Sequence, residues 1–137
     1  MAALKELNTL MANMFATGLL DDQFQELLML QDANNPDFIA QVVTLFCEKG
    51  ERIIGELADL LDKPDVDFDK VDAFAGDLKE ISLCVGAQRL KNTCMQFREF
   101  CEQKSGDGCL LTLDAVRNDF YDLGSKFETM LQLQHQV

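Results

Sequence analysis

The side chains able to carry chemistry in this 137-residue chain are few, and their spacing assembles no reactive set. The sole histidine, His135, falls in the C-terminal tail, where nothing positions it for phosphorylation. Without a second histidine in the ordered body, no Ser/His/Asp or Cys/His set can form, and no Glu-x-x-His pair is present to hold a di-iron centre. Cys47, Cys84, Cys94, Cys101 and Cys109 are an odd set with no Cys-x-x-Cys, so they read neither as a zinc site nor as a disulfide framework. Asp65-x-Asp67-x-Asp69 begins as a calcium loop would. Its sixth place, however, is Lys70 instead of glycine and its twelfth is Gly76 instead of glutamate. These aspartates suit the positive end of a following helix better. No metal, no cofactor and no enzymatic activity is expected.

The elements that would position these groups are helical throughout. Apolar residues recur at spacings of three and four, and a sustained two-residue alternation is absent. Helices are predicted over residues 3–15 and 20–31, broken at Gly18, with Asp21 or Asp22 capping the second. A third starts with Asn35 as N-cap and Pro36 in its first turn, and carries the stripe Phe38, Val42, Leu45, Phe46, Ile53, Leu57 and Leu60 as far as Lys63-Pro64. Gly50 interrupts that stripe without ending it. The fourth runs from Asp67 to about residue 103 with a bend at Gly86. A turn at residues 104–109 precedes a last helix over 110–133, whose stripe is Leu110, Leu113, Val116, Phe120, Leu123, Phe127 and Met130. The expectation is one all-α domain over residues 1–137: two N-terminal helices in 1–34 beside a four-helix bundle in 35–133.

Charge narrows the partners. The formal net charge is −12, which disfavours nucleic acid and anionic membrane surfaces. Residues 79–104 differ: Lys79, Arg89, Lys91, Arg98 and Lys104 outnumber Glu80, Glu99 and Glu102, a local +2 against −14 for the rest. Such a face suits a partner with an acidic docking pocket. Most cysteines fall on apolar stripes, where thiols pack as small hydrophobes, and this points to a reducing cytoplasm or nucleus. The start of the chain lacks the pattern of a secretory signal, and no apolar run has the length of a bilayer span.

Two runs carry a resemblance: Val71-Asp72-Ala73-Phe74-Ala75-Gly76-Asp77-Leu78-Lys79, and Val85-Gly86-Ala87-Gln88-Arg89-Leu90-Lys91-Asn92. Leu20-Asp21-Asp22-Gln23-Phe24, Gln31-Asp32, Asn35-Pro36-Asp37-Phe38 and Phe97-Arg98-x-Phe100-Cys101-Glu102 extend it over most of the chain. The sequence resembles the plant histidine-containing phosphotransfer family, in which a histidine stands at the place of Gly76, followed by x-Leu-Lys-Gly-Ser. The resemblance implies an antiparallel four-helix bundle. It also implies, as partners, the receiver domains of hybrid histidine kinases and response regulators. Leu78 and Lys79 are kept, but the nucleophile is not. Members lacking the histidine form a pseudo-phosphotransfer class, taken to dampen cytokinin phosphorelay by occupying receivers without passing phosphate on.

Helical phase places the site. The stripe 68, 71, 75, 78, 82, 85 leaves Asp72, Gly76, Lys79, Glu80 and Leu83 on the opposite side of the fourth helix. Asp77 lies about 100° around the helix and would give a mixed anhydride instead of a phosphohistidine. Glu80, Ile81, Leu83 and Cys84 replace the family's small residues after the lysine, and Glu80 adds bulk and negative charge where an acidic pocket must approach. The expected docking face comprises Asp72, Gly76, Lys79, Glu80, Leu83, Gln88 and Arg89, flanked by Phe24 and Leu28. The expected protein is a monomer of the cytoplasm and nucleus. A helical adaptor released from phosphorelay, with Ile81 and Leu83 in a new interface, is the alternative.

Overall fold

Six helices in chain order make up the computed structural model, which describes residues 2–137. They are α1 (Ala2–Ala16), α2 (Asp22–Leu30), α3 (Phe38–Leu61), α4 (Phe68–Val85), α5 (Gln88–Glu102) and α6 (Gly106–Gln136). Short connections of two residues between α4 and α5, and of three between α5 and α6, reverse the chain and make these neighbours antiparallel. The helix α4 packs on α3 and α5, while α6 closes the bundle against α3 and α5. Outside these four, α1 lies along α6, and α2 lies against α4 and α3. The all-α bundle with two extra N-terminal helices is therefore as expected.

The bundle interior is one continuous apolar cluster. From α4 it takes Val71, Ala75, Leu78 and Val85, together with the hydroxyl-bearing Ser82, whose Oγ donates to the Leu78 carbonyl at 2.7 Å. Phe24, Phe46, Phe120 and Phe127 stack through the centre: the Phe24 and Phe127 rings lie 5.3 Å apart, and Phe46 meets Phe127 edge-on at 6.2 Å. Phe120 also packs directly on Gly50, which explains why α3 tolerates a glycine in its interior.

Several boundaries differ from the sequence expectation, each for a local reason. Asn35 does not cap α3, because Asp32 Oδ1 accepts the Asn34 and Asn35 amides at 2.9 and 3.1 Å and folds residues 32–35 into a turn. One early amide of α3 finds a side-chain acceptor elsewhere: Gln31 Oε1 takes the Ile39 N–H at 3.1 Å, and the helix starts at Phe38. Gly86 is an end, not a bend. It adopts φ +73°, ψ 28°, and the Ala87 N–H reaches the Ser82 carbonyl at 2.8 Å in a left-handed cap that separates α4 from α5. Likewise, Gly106-Asp107-Gly108 is the first turn of α6 and not a loop, since Ser105 Oγ accepts the Gly108 N–H at 3.1 Å. Leu45 and Leu110, expected in the core, are exposed. Val43 is buried on α3 in place of Leu45, and Cys109 and Thr112 are buried on α6.

Candidate functional site: the exposed face of α4

Asp67 starts α4 by accepting the Lys70 N–H on its side chain at 3.2 Å, which fixes the helical phase of everything that follows. With Val71, Ala75, Leu78, Ser82 and Val85 buried, Asp72, Gly76 and Lys79 are half-buried and Glu80 and Leu83 exposed. The sequence-predicted face of α4 is brought together.

Its centre holds one residue that was not anticipated. Arg98, from α5, grips Asp72 with both ends of its fork: Nε donates to Oδ1 at 2.9 Å and Nη2 to Oδ2 at 3.1 Å. The same guanidinium lies across Gly76, where an added Cβ would stand 3.4 Å from Nη1 and 3.5 Å from Cζ. Hydrogen bonding from Arg98 holds the Asp72 carboxyl below its ordinary value, against a smaller opposing effect of burial, and the same bonds raise Arg98. Sequence did offer a signal. Arg98 directly follows Phe97 in the matched run, one position off the buried stripe Leu90, Cys94, Phe97, Cys101 of α5.

Other predicted site residues are placed differently. Phe24 is fully buried and stacked on Phe127, so it cannot flank a docking face. Leu28 is half-buried against the core. The cause is helical phase: α2 turns residues 24 and 28 inward and leaves Met29 and Leu30 as its exposed apolar side chains. Arg89 is committed to the scaffold, its Nη2 donating to the Thr17 carbonyl at 2.9 Å and its Nη1 lying 3.6 Å from Asp122 Oδ2. Gln88 is half-buried at the first position of α5. Lys79 forms no ion pair among the described residues, although Asp72, Asp77 and Glu80 are near in sequence.

The run Gly86-Ala87-Gln88-Arg89 is thus a joint. The Gly86 carbonyl accepts the Asp21 N–H at 2.9 Å, and Asp21 in turn caps α2 by accepting the Gln23 N–H at 3.0 Å. That joint sets where α2 lies against α4.

Chemically the face has charge and shape but no imidazole. Asp77 is exposed and off the face. His135 lies in the last turn of α6, beside an open cleft also lined by Leu7, Gln31 and Pro36. Among the described residues, no group of three or more His, Cys, Asp or Glu is placed to hold a metal ion, and no helix is long and apolar enough to cross a membrane.

Fold and site together define a small helical bundle that presents one polar helix face. A rice protein named histidine-containing phosphotransfer protein 1 is 62% identical over 136 residues, covering 99% of this chain and 92% of that one. The crystal structure of a maize histidine-containing phosphotransfer protein superposes with a TM-score of 0.95 at 58% identity, covering 98% of each chain. A rice pseudo histidine-containing phosphotransfer protein is more distant, 34% identical over 91% of this chain and 83% of its own. No protein-family model matches the sequence. The chain belongs to the histidine-containing phosphotransfer protein family, whose setting is the two-component phosphorelay.

Proposed function

We propose that this protein docks on receiver domains of hybrid histidine kinases and response regulators without accepting phosphate, and so restrains the relay by keeping those receivers from active shuttles. One observation carries the reading: Gly76 stands at the centre of the α4 face, and no histidine shares that face. A phosphoryl group held on a receiver aspartate needs an imidazole nitrogen in line with the leaving oxygen, and glycine offers none. The relatives named as phosphotransfer proteins support the relay as the setting. The loss of transfer rests on residue 76 alone.

Inhibition then follows mass action and scales with the protein's concentration over its dissociation constant. The patch is small, so association is weak and transient. The free ammonium of Lys79 is the group to meet receiver carboxylates, while Glu80 opposes the same approach. In this reading the protein is not an enzyme, acts as a monomer and works in the cytoplasm and nucleus.

Titrating labelled protein with a receiver domain tests it: saturable chemical-shift changes centred on Gly76, Lys79 and Leu83, with no phosphate transferred from a phosphorylated receiver. Stable phosphate on the unmodified chain would overturn the reading. Gly76→His separates docking from chemistry, because a docking-competent framework makes that variant an acceptor. The adaptor alternative is weakened by Ile81, which packs against the core and leaves Leu83 as the bulky outward residue. Absence of receiver binding at high micromolar concentration would restore it.

A further inference from the structure

We propose that Cys101 and Cys109 are a peroxide-oxidisable dithiol that closes to a disulfide across the α5–α6 turn, a modification site separate from the α4 docking face. Cys101 belongs to the last turn of α5 and Cys109 to the start of α6. Their sulfurs lie 3.8 Å apart, each the other's hydrogen-bond partner, inside the bundle. A disulfide needs sulfurs about 2 Å apart, a closure within reach of side-chain rotation and slight movement of the turn. The chain reverses between them through Lys104, the only non-glycine residue with positive φ (54°) among those described. Cys47, Cys84 and Cys94 form no such thiol pair.

The chemistry balances with hydrogen peroxide as oxidant. The Cys101 sulfur attacks one peroxide oxygen; an S–O bond forms, the O–O bond breaks, and water leaves to give a sulfenic acid. The Cys109 sulfur then attacks Cys101 Sγ, forming the S–S bond, breaking S–O and releasing a second water. Two electrons pass from the thiols to the peroxide. Cys101 is the entry point because it is 4% exposed, whereas Cys109 is fully buried. Burial pushes the Cys101 thiol up to about 12 and also raises Cys109, so thiolate is scarce at neutral pH. Oxidation therefore follows transient opening of the turn and is slower than oxidation of the exposed Cys84.

The test uses the whole reduced protein, treated with hydrogen peroxide, denatured, alkylated and digested with trypsin. Lys104 lies between the two cysteines, and Arg98 and Arg117 flank them, so residues 99–104 and 105–117 separate unless a disulfide joins them. The expected result is a joined peptide pair, two hydrogens lighter than the sum of its free thiol forms, appearing after Cys84 is oxidised and lost on reduction. The oxidised monomer should also melt higher than the reduced one, since the link restricts the unfolded chain. Recovery of both cysteines alkylated after prolonged exposure at peroxide doses far above those that fully oxidise Cys84 would overturn the proposal, as would joined peptides that pair either residue with another cysteine. Cys101→Ser and Cys109→Ser should each abolish the joined pair. If either variant fails to fold, the wild-type peptide map decides alone.

Discussion

Two glycines ten residues apart on α4 and its cap teach opposite lessons. Gly86 is demanded by the backbone: its φ is +73°, and an added Cβ would meet Asp21 Oδ1 at 2.5 Å and the Phe24 amide nitrogen at 2.6 Å. Gly76 answers to no such demand. It sits in regular helix, and its nearest obstacle is the end of a flexible arginine, 3.4 Å away. The fold therefore requires glycine at the joint and merely accepts it at the site. Glycine at position 76 is not a by-product of how the bundle is built.

The joint is where substitution costs most. Phe24→Ala should destabilise the protein by about 3–5 kcal/mol, because a fully buried ring in the stack it forms with Phe127, Phe46 and Phe120 leaves a cavity that neighbours only partly fill. Chemical denaturation followed by circular dichroism measures this. A loss below about 1 kcal/mol would return Phe24 to the surface. Gly86→Ala comes next, at about 2 kcal/mol or more, from the left-handed conformation together with the collision against Asp21 and Phe24. An unchanged denaturation midpoint would erase the contrast between the two glycines.

How much of this could be read beforehand depends on whether one helix or two decide the matter. The buried positions 71, 75, 78, 82 and 85 of α4 follow from spacing alone, because a single helix repeats every 3.6 residues and the polar face is what remains. The pair of Asp72 with Arg98 was not legible. It joins α4 to α5 across 26 residues of sequence, and its register is set by packing and by the length of the Gly86-Ala87 joint. Phe24 was misplaced for a related reason: α2 is nine residues long, too short for its stripe to show which apolar residues face in. At Gly86 the sequence pattern of a bend and of a left-handed cap is the same. At Asn35, two good turn-formers, Asp32 and Asn35, competed for one segment, and Asp32 prevailed by taking two amides.

A smaller effect of opposite sign is expected at the site. Gly76→Ala should stabilise the protein by about 0.5–1 kcal/mol, the helix-propensity gain, provided the Arg98 guanidinium yields a few tenths of an ångström. Thermal denaturation resolves such a difference. Destabilisation instead would mean that Arg98 is held rigidly over residue 76, and that restoring a histidine requires moving Arg98 as well.

The smallest effect concerns the bond that holds Arg98 there. Its side chain and that of Asp72 are 40% and 34% exposed, so solvent screens the pair and its contribution is on the order of 0.5–1 kcal/mol despite two-point geometry. Because Arg98 lowers the folded-state value of the Asp72 carboxyl, that contribution is present above the ordinary carboxylate value of 3.8 and is lost as pH falls through the lower folded-state value. Wild type should therefore exceed Asp72→Asn in stability by a constant margin from neutral pH down to about pH 5, with the curves converging in stronger acid. A margin that persists undiminished in strong acid would assign the stabilisation to packing of the Arg98 stem instead of to charge. The guanidinium would then remain over Gly76 when Asp72 is neutral, and Gly76→Ala should have the same effect with or without the aspartate.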